Sequence, residues 1–193
     1  MKINGRLILF TAVLVALATA CKYFFGPDLD WSGFSPVIAI ALLAGMIIRQ
    51  KKMSFILPLL ALFISDAAIQ FLYSRDLFPY AGFYSGQWVN YLLLLAVTLL
   101  GWMLKGRSYG NLLAGGIAAP TVYFLVSNFL VWQAPGQLFY PKTFNGLMIC
   151  YEAALPFYRN SLVATVLFLP VILVLYNYFT RSKVELKLNA STR

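Results

Sequence analysis

The sequence predicts an all-α polytopic membrane protein: a six-transmembrane-helix bundle with a broken second span and a short re-entrant or interfacial helix before the sixth. Three observations carry that prediction. The chain is 61% hydrophobic, its apolar residues gather into six runs of near-spanning length, and its cations sort to alternate connections between those runs. Crossing a bilayer core takes about 20 apolar helical residues. Residues 7–25, 31–48, 54–73, 84–104, 111–131 and 157–180 approach or exceed that length.

The first run follows Lys2 and Arg6 and passes through Ala18-Thr19-Ala20-Cys21, a stretch similar to a signal-peptide or lipoprotein cleavage site. It continues through Tyr23-Phe24-Phe25 to spanning length, so it reads as a retained span. Ala12, Ala16 and Ala20 recur every four positions and make a narrow smooth face that lets another helix approach, either within the bundle or from a partner. Gly26-Pro27 ends this helix. In the second run, Gly33-Phe34-Ser35-Pro36 interrupts the pattern and leaves 36–48, which is too short to cross alone. Residues 31–35 are then expected to enter as non-helical backbone, which is tolerated at depth only where protein or a cavity satisfies its polar groups. A cavity near the outer face follows as an expectation. Ahead of the sixth run, Pro135, Gly136, Pro141 and Gly146 punctuate a long connection, and 144–156 reads as a short re-entrant or interfacial helix lying against the outer mouth, in the position of a lid. Residues 1–180 are expected to form a single transmembrane domain and 181–193 a polar cytoplasmic tail.

The fifteen Lys and Arg residues orient this bundle. Lys2, Arg6, Arg49, Lys51, Lys52, Lys105, Arg107, Arg181, Lys183, Lys187 and Arg193 fall on one side, whereas Lys22, Arg75, Lys142 and Arg159 fall on the other. By the positive-inside rule both termini are cytoplasmic. The net charge of +9 is thus a topology signal and not the footprint of a nucleic-acid binder. The absence of histidine excludes bis-His haem, His-ligated zinc or copper and a Ser-His-Asp triad. Neither a cofactor nor a metal site is expected. Cys21 and Cys150 map near the outer face, where they could pair or remain two buried thiols. Asp66, Glu152, Lys142 and Arg159 show no spacing diagnostic of acid–base or phosphate chemistry, so the chain is not expected to be an enzyme.

Asp66 is the one acid deep inside a run. An ionisable side chain at that depth normally faces the bundle interior or a watery cavity, paired or lining a site. Arg159, Asn90 and Asn128 are its alternative structural partners on this reading. Trp88, Asn90 and Tyr84 lie at the start of the fourth run, Asn128 near the outer end of the fifth, and Arg159 and Asn160 at the start of the sixth. With Asp66 and Trp31 these residues reach one level from several helices. Aromatics crowd the same end, among them Phe34, Tyr73, Phe78, Tyr80, Phe83, Trp132, Tyr140 and Tyr158, in excess of what an interfacial belt requires. Planar organic ligands are held by aromatic walls with a few placed polar groups. The expected ligand-binding set is therefore Asp66, Trp88, Asn90, Asn128, Arg159, Asn160, Tyr84 and Trp31, with Lys142, Tyr151 and Glu152 able to close over it.

At Phe34-Ser35-Pro36-Val37-Ile38-Ala39, Leu62-Phe63-Ile64-Ser65-Asp66, Phe78-Pro79-Tyr80 and Ala154-Leu155-Pro156-Phe157-Tyr158-Arg159-Asn160, the chain resembles a family of uncharacterised bacterial membrane proteins labelled as transport proteins. That family is in turn distantly similar to the substrate-binding S components of energy-coupling factor (ECF) vitamin transporters. The resemblance implies a multi-pass protein of the bacterial cytoplasmic (inner) membrane, with an outward pocket for a vitamin-like molecule. It also implies docking, through Ala12, Ala16 and Ala20, onto a transmembrane coupling subunit driven by ATPases. No glycine-rich phosphate loop occurs in this chain, so energy would come from a partner or a gradient. The expected function is a substrate-binding subunit or solitary importer for a small vitamin-like or heterocyclic metabolite. The alternative is a structural or assembly subunit of a larger membrane complex.

Overall fold

Six helices account for the six apolar runs in the computed structural model, which describes residues 5–48, 50–104, 108–134 and 139–180. They are α1 (Gly5–Phe25), α2 (Val37–Ile47), α3 (Lys51–Tyr73), α4 (Gln87–Met103), α5 (Tyr109–Gln133) and α6 (Phe144–Thr180). Four of them, α1, α3, α5 and α6, are long and apolar enough to cross a membrane, and α2 and α4 are shorter apolar helices. The chain is a multi-pass membrane protein. Its outer surface agrees with that: Leu9, Phe63, Ile117 and Val174 are among many exposed large apolar side chains, a surface that water would not tolerate over such an area. Lys2, Arg49, Lys105, Arg107, Pro135, Gly136 and the tail 181–193 lie outside the described residues.

Local chemistry sets the helix ends. Gly26 terminates α1, its amide donating to the Lys22 carbonyl at 3.0 Å before Pro27 stops propagation. Ser108 caps α5 by accepting from the Asn111 amide at 3.1 Å. Thr143 does the same for α6 through Gly146, also at 3.1 Å. Between α1 and α2 the expected non-helical segment is present as a series of turns, Trp31 N–H to Asp28 O at 3.2 Å and Phe34 N–H to Trp31 O at 3.0 Å. Gly33 adopts φ +87°, and a Cβ there would meet the Phe157 carbonyl at 2.9 Å, so glycine is required on both counts.

The helices alternate in direction. Lys22, late in α1, meets Asp66, late in α3, while Phe10 and Leu14 of α1 share the opposite end with Leu57 of α3. These two helices therefore run parallel, and α2 returns between them. Phe55 of α3 packs on Trp102 of α4, and Phe10 of α1 on Tyr176 of α6, which sets both pairs antiparallel. At the centre lies α2, buried from Val37 to Gly45. An apolar face all round is what a helix enclosed by others needs, and α2 contacts α3, α4, α5 and α6. Its approach to α4 is backbone on backbone: a Cβ at Gly101 would lie 3.1 Å from the Gly45 Cα and against the Leu42 carbonyl.

One element departs from expectation. Residues 144–156 do not form a separate short helix, because α6 runs unbroken for 37 residues with Pro156 and Pro170 inside it. Proline removes one amide donor per site, yet the remaining bonds and neighbouring helices can carry the backbone through. At 1.5 Å per residue α6 is roughly 55 Å long.

Candidate polar cavity

A cavity of about 320 Å³ opens at the end of the bundle that carries the turns after α1 and α3. Its walls come from the end of α1 (Cys21, Lys22, Phe25), the 32–35 turn, α2 (Val37, Ile38), α3 (Leu62, Asp66, Ile69), the 80–84 loop, α4 (Gln87, Asn90, Leu94), Tyr123 of α5 and Ser161 of α6. Every helix contributes. The loop 80–83 is held over α3 where Gly82 abuts the Asp66 and Gln70 backbone, a spacing that leaves no room for a Cβ. The Phe83 amide adds a bond to Gln70 Oε1 at 3.1 Å.

Asp66 is the hub. Only 3% exposed, it forms an ion pair through Oδ1 with the Lys22 ammonium. Its Oδ2 accepts from Gln87 Nε2 at 2.6 Å and from the Tyr91 hydroxyl at 2.9 Å. A buried carboxylate requires such compensation. A second tier extends the network: Asn90 Nδ2 donates to Gln87 Oε1 at 3.1 Å and to the Tyr84 hydroxyl at 2.7 Å, and Tyr123 donates to Asn90 Oδ1 at 2.7 Å. At the rim, the Tyr80 hydroxyl donates to the Lys22 carbonyl at 3.4 Å. Burial pushes that phenol above the usual tyrosine range, so it remains a donor.

Of the eight residues expected to form the site, Asp66, Asn90 and Tyr84 line this cavity together. The other five do not. Trp88 points outward, 64% exposed, and Trp31 sits outside against Phe25 and Phe34 at ring distances of 5.7 and 5.8 Å. Asn128 turns back on its own helix, bonding the Phe124 carbonyl at 2.8 Å. Asn160 is structural here, its amide pinning the Asp30 and Ser32 carbonyls at 2.7 and 2.9 Å. Arg159 is exposed on α6 and, among the described residues, reaches its neighbour Asn160 at 3.5 Å. The pairing of Asp66 with Arg159 or Asn128 is thus replaced by Lys22, because α1 packs directly on α3. Lys142 and Tyr151 are likewise occupied elsewhere, Lys142 on the Trp132 carbonyl and Tyr151 on the Leu125 carbonyl at 2.9 Å. Cys21 and Cys150 are both buried free thiols.

Lys22, Gln87, Tyr91 and Tyr123 were not anticipated from sequence. Lys22 ends an apolar run, where a lysine usually stretches to the interface; the signal that could have found it is the need of Asp66 for a cation on a helix adjacent to α3. The alanine stripe divides from the packed face of α1. Ala12 and Ala16 are exposed and Ala20 is partly so, whereas Phe10, Leu14, Ala18 and Cys21 are buried.

A family model matches residues 1–187. The chain belongs to a family of unknown function, DUF6580. No curated protein and no solved structure matches it significantly.

Proposed function

We propose that this protein is a substrate-binding membrane subunit, or a solitary importer, for a small vitamin-like or heterocyclic metabolite held in the cavity around Asp66. The observation that carries the reading is the cavity itself: about 320 Å³, open at one end, walled by Phe25, Phe34, Tyr80 and Tyr84 and floored by a compensated polar network. Binding sites for small organic molecules have this size and this ratio of apolar wall to placed polar groups. In this reading all six helices cross the cytoplasmic membrane of a bacterium, with both termini inside and the cavity facing out. Arg6, Lys51 and Lys52 lie at the far end of the bundle from the cavity, and the positive-inside rule makes that end cytoplasmic. Below the cavity the bundle is closed by Leu14, Ala18, Ile40, Leu57, Ala61 and Val97. Inward release therefore needs the helices to tilt or separate. The exposed Ala12 and Ala16 support docking on a transmembrane coupling subunit with ATPases, as the likeness to S components of energy-coupling factor transporters implies.

The test is a thermal-unfolding screen of vitamins, nucleobases and related heterocycles on the purified full chain in detergent. At least one compound is expected to raise the melting temperature. Ala81→Trp, which places a ring in the cavity from a loop position, is expected to abolish that rise while leaving the ligand-free melting temperature close to wild type. The same exposed alanine face favours a second reading, an assembly subunit of a larger membrane complex. No stabilising compound, together with a stoichiometric partner that is not coupled to an ATPase, would establish that one instead.

A further inference from the structure

The polar network has a direction, and the direction determines what the cavity can recognise. An ionised carboxylate only accepts, so Asp66 Oδ2 requires Gln87 to present its NH2 group. Gln87 Oε1 then accepts from Asn90 Nδ2, and Asn90 Oδ1 accepts from Tyr123. Asn90 Nδ2 also points at the Tyr84 oxygen, which must accept, leaving the Tyr84 proton directed away from the network. Three backbone carbonyls beside the cavity are used in the same way. The Lys22 carbonyl receives Gly26 N–H and Tyr80 O–H, the Ser32 carbonyl receives Asn160, and the Gly33 carbonyl receives Ser161. Donors are left over. Lys22 has three N–H bonds and, among the described residues, gives one, to Asp66; the Tyr84 hydroxyl has no acceptor there, and the Ser35 hydroxyl accepts from Val37 without donating.

The cavity therefore keeps spare donors on Lys22, Tyr84 and Ser35, and its two formal charges, Lys22 and Asp66, cancel. We propose that it selects neutral planar molecules presenting hydrogen-bond acceptors, such as ring carbonyls or unprotonated ring nitrogens, and discriminates against both cations and carboxylates. This rests on the binding reading above and narrows it. A cation would add a net positive charge beside the Lys22 ammonium with no further carboxylate among the lining residues to balance it. A carboxylate would meet the Lys22 ammonium, but that charge is already balanced, so the anion would sit uncompensated beside Asp66. A neutral carbonyl satisfies Tyr84 and the spare Lys22 protons with no change in net charge.

Matched probes test the charge rule on the full wild-type chain in detergent. One set is nicotinamide, nicotinate and the ring-methylated nicotinamide cation; the other is quinazolinedione, quinoline carboxylate and methylquinolinium. The neutral member of a set is expected to stabilise the protein at the lowest concentration. Tyr84→Phe keeps the ring and removes the donor, and it should weaken that neutral probe about tenfold. Trp88→Phe, outside the cavity, should not. An ionic member binding tightest, or a Tyr84→Phe variant that binds the neutral probe normally, would overturn the charge and donor rule while leaving the binding reading intact. Failure of all six probes and of the wider heterocycle screen would overturn both.

Discussion

Lys22 and Asp66 decide how this interior tolerates charge. Each is held by the other, and Asp66 also needs Gln87 and Tyr91. Removing one partner of such a pair leaves a buried uncompensated charge, at a cost of about 3–5 kcal/mol. Lys22→Met is accordingly expected to destabilise the bundle by that order in denaturant unfolding. The double variant Lys22→Met/Asp66→Asn should recover most of the loss, since asparagine still accepts from Gln87 and Tyr91 without carrying charge. A double variant no more stable than the single one would show that the two side chains are not energetically coupled. At this scale the sequence was legible where a polar residue interrupts an apolar run: Asp66 and Asn90 face the cavity, and Tyr84 joins them from the loop before α4. It was not legible where rotation about the helix axis decided the outcome. Asn128 lies toward the expected end of α5 and Arg159 inside the longer α6, but both on other faces, and helices apolar on nearly every side offer no pattern from which to read that rotation.

Helix-scale structure depends on how closely α2 can approach α4. At Gly45 and Gly101 the two backbones touch, with a Cβ on either residue directed at main-chain atoms of the opposing helix. Main chain cannot rotate out of the way as a side chain can. Gly101→Val is thus expected to push α4 off α2, losing about 1–3 kcal/mol or more and lowering the melting temperature. Gly110→Ala serves as the control: among the described residues only Ser108 Oγ lies near, at 4.0 Å, and alanine favours a helix by about 1 kcal/mol over glycine, so this variant should be neutral or slightly stabilising. Equal effects of the two substitutions would contradict the backbone contact. All six helices could be located from apolar length and Gly-Pro punctuation, including the interruption before α2. The separate helix expected over 144–156 could not be distinguished from an extension of α6, because Pro156 suits either a helix break or a tolerated interior site.

The bundle as a whole is constrained by the parallel run of α1 and α3. Their late residues meet at Lys22 and Asp66 and their early residues meet near Leu14 and Leu57, so the chain between them must return the full depth of the bundle. The helical part of that return, α2, is 11 residues or about 16 Å; the turns over 28–36, pinned by Asn160 and Ser161, supply the remainder. By the same alternation α4, at 17 residues and about 25 Å, returns between α3 and α5. A hydrocarbon core is about 30 Å thick, so α6, near 55 Å, must extend beyond it. The extension falls at the cavity end, where Thr143 caps the helix. Single cysteines in intact cells test this arrangement. Asp76→Cys and Lys142→Cys lie at the cavity end and should react with a membrane-impermeant maleimide. Lys52→Cys, at the opposite end, should react only after the membrane is opened. Labelling of Lys52→Cys alone in intact cells would invert the bundle and turn the cavity toward the cytoplasm. Labelling of Asp76→Cys and Lys52→Cys from the same side would mean that α3 does not cross, and the six-span reading would fall with it.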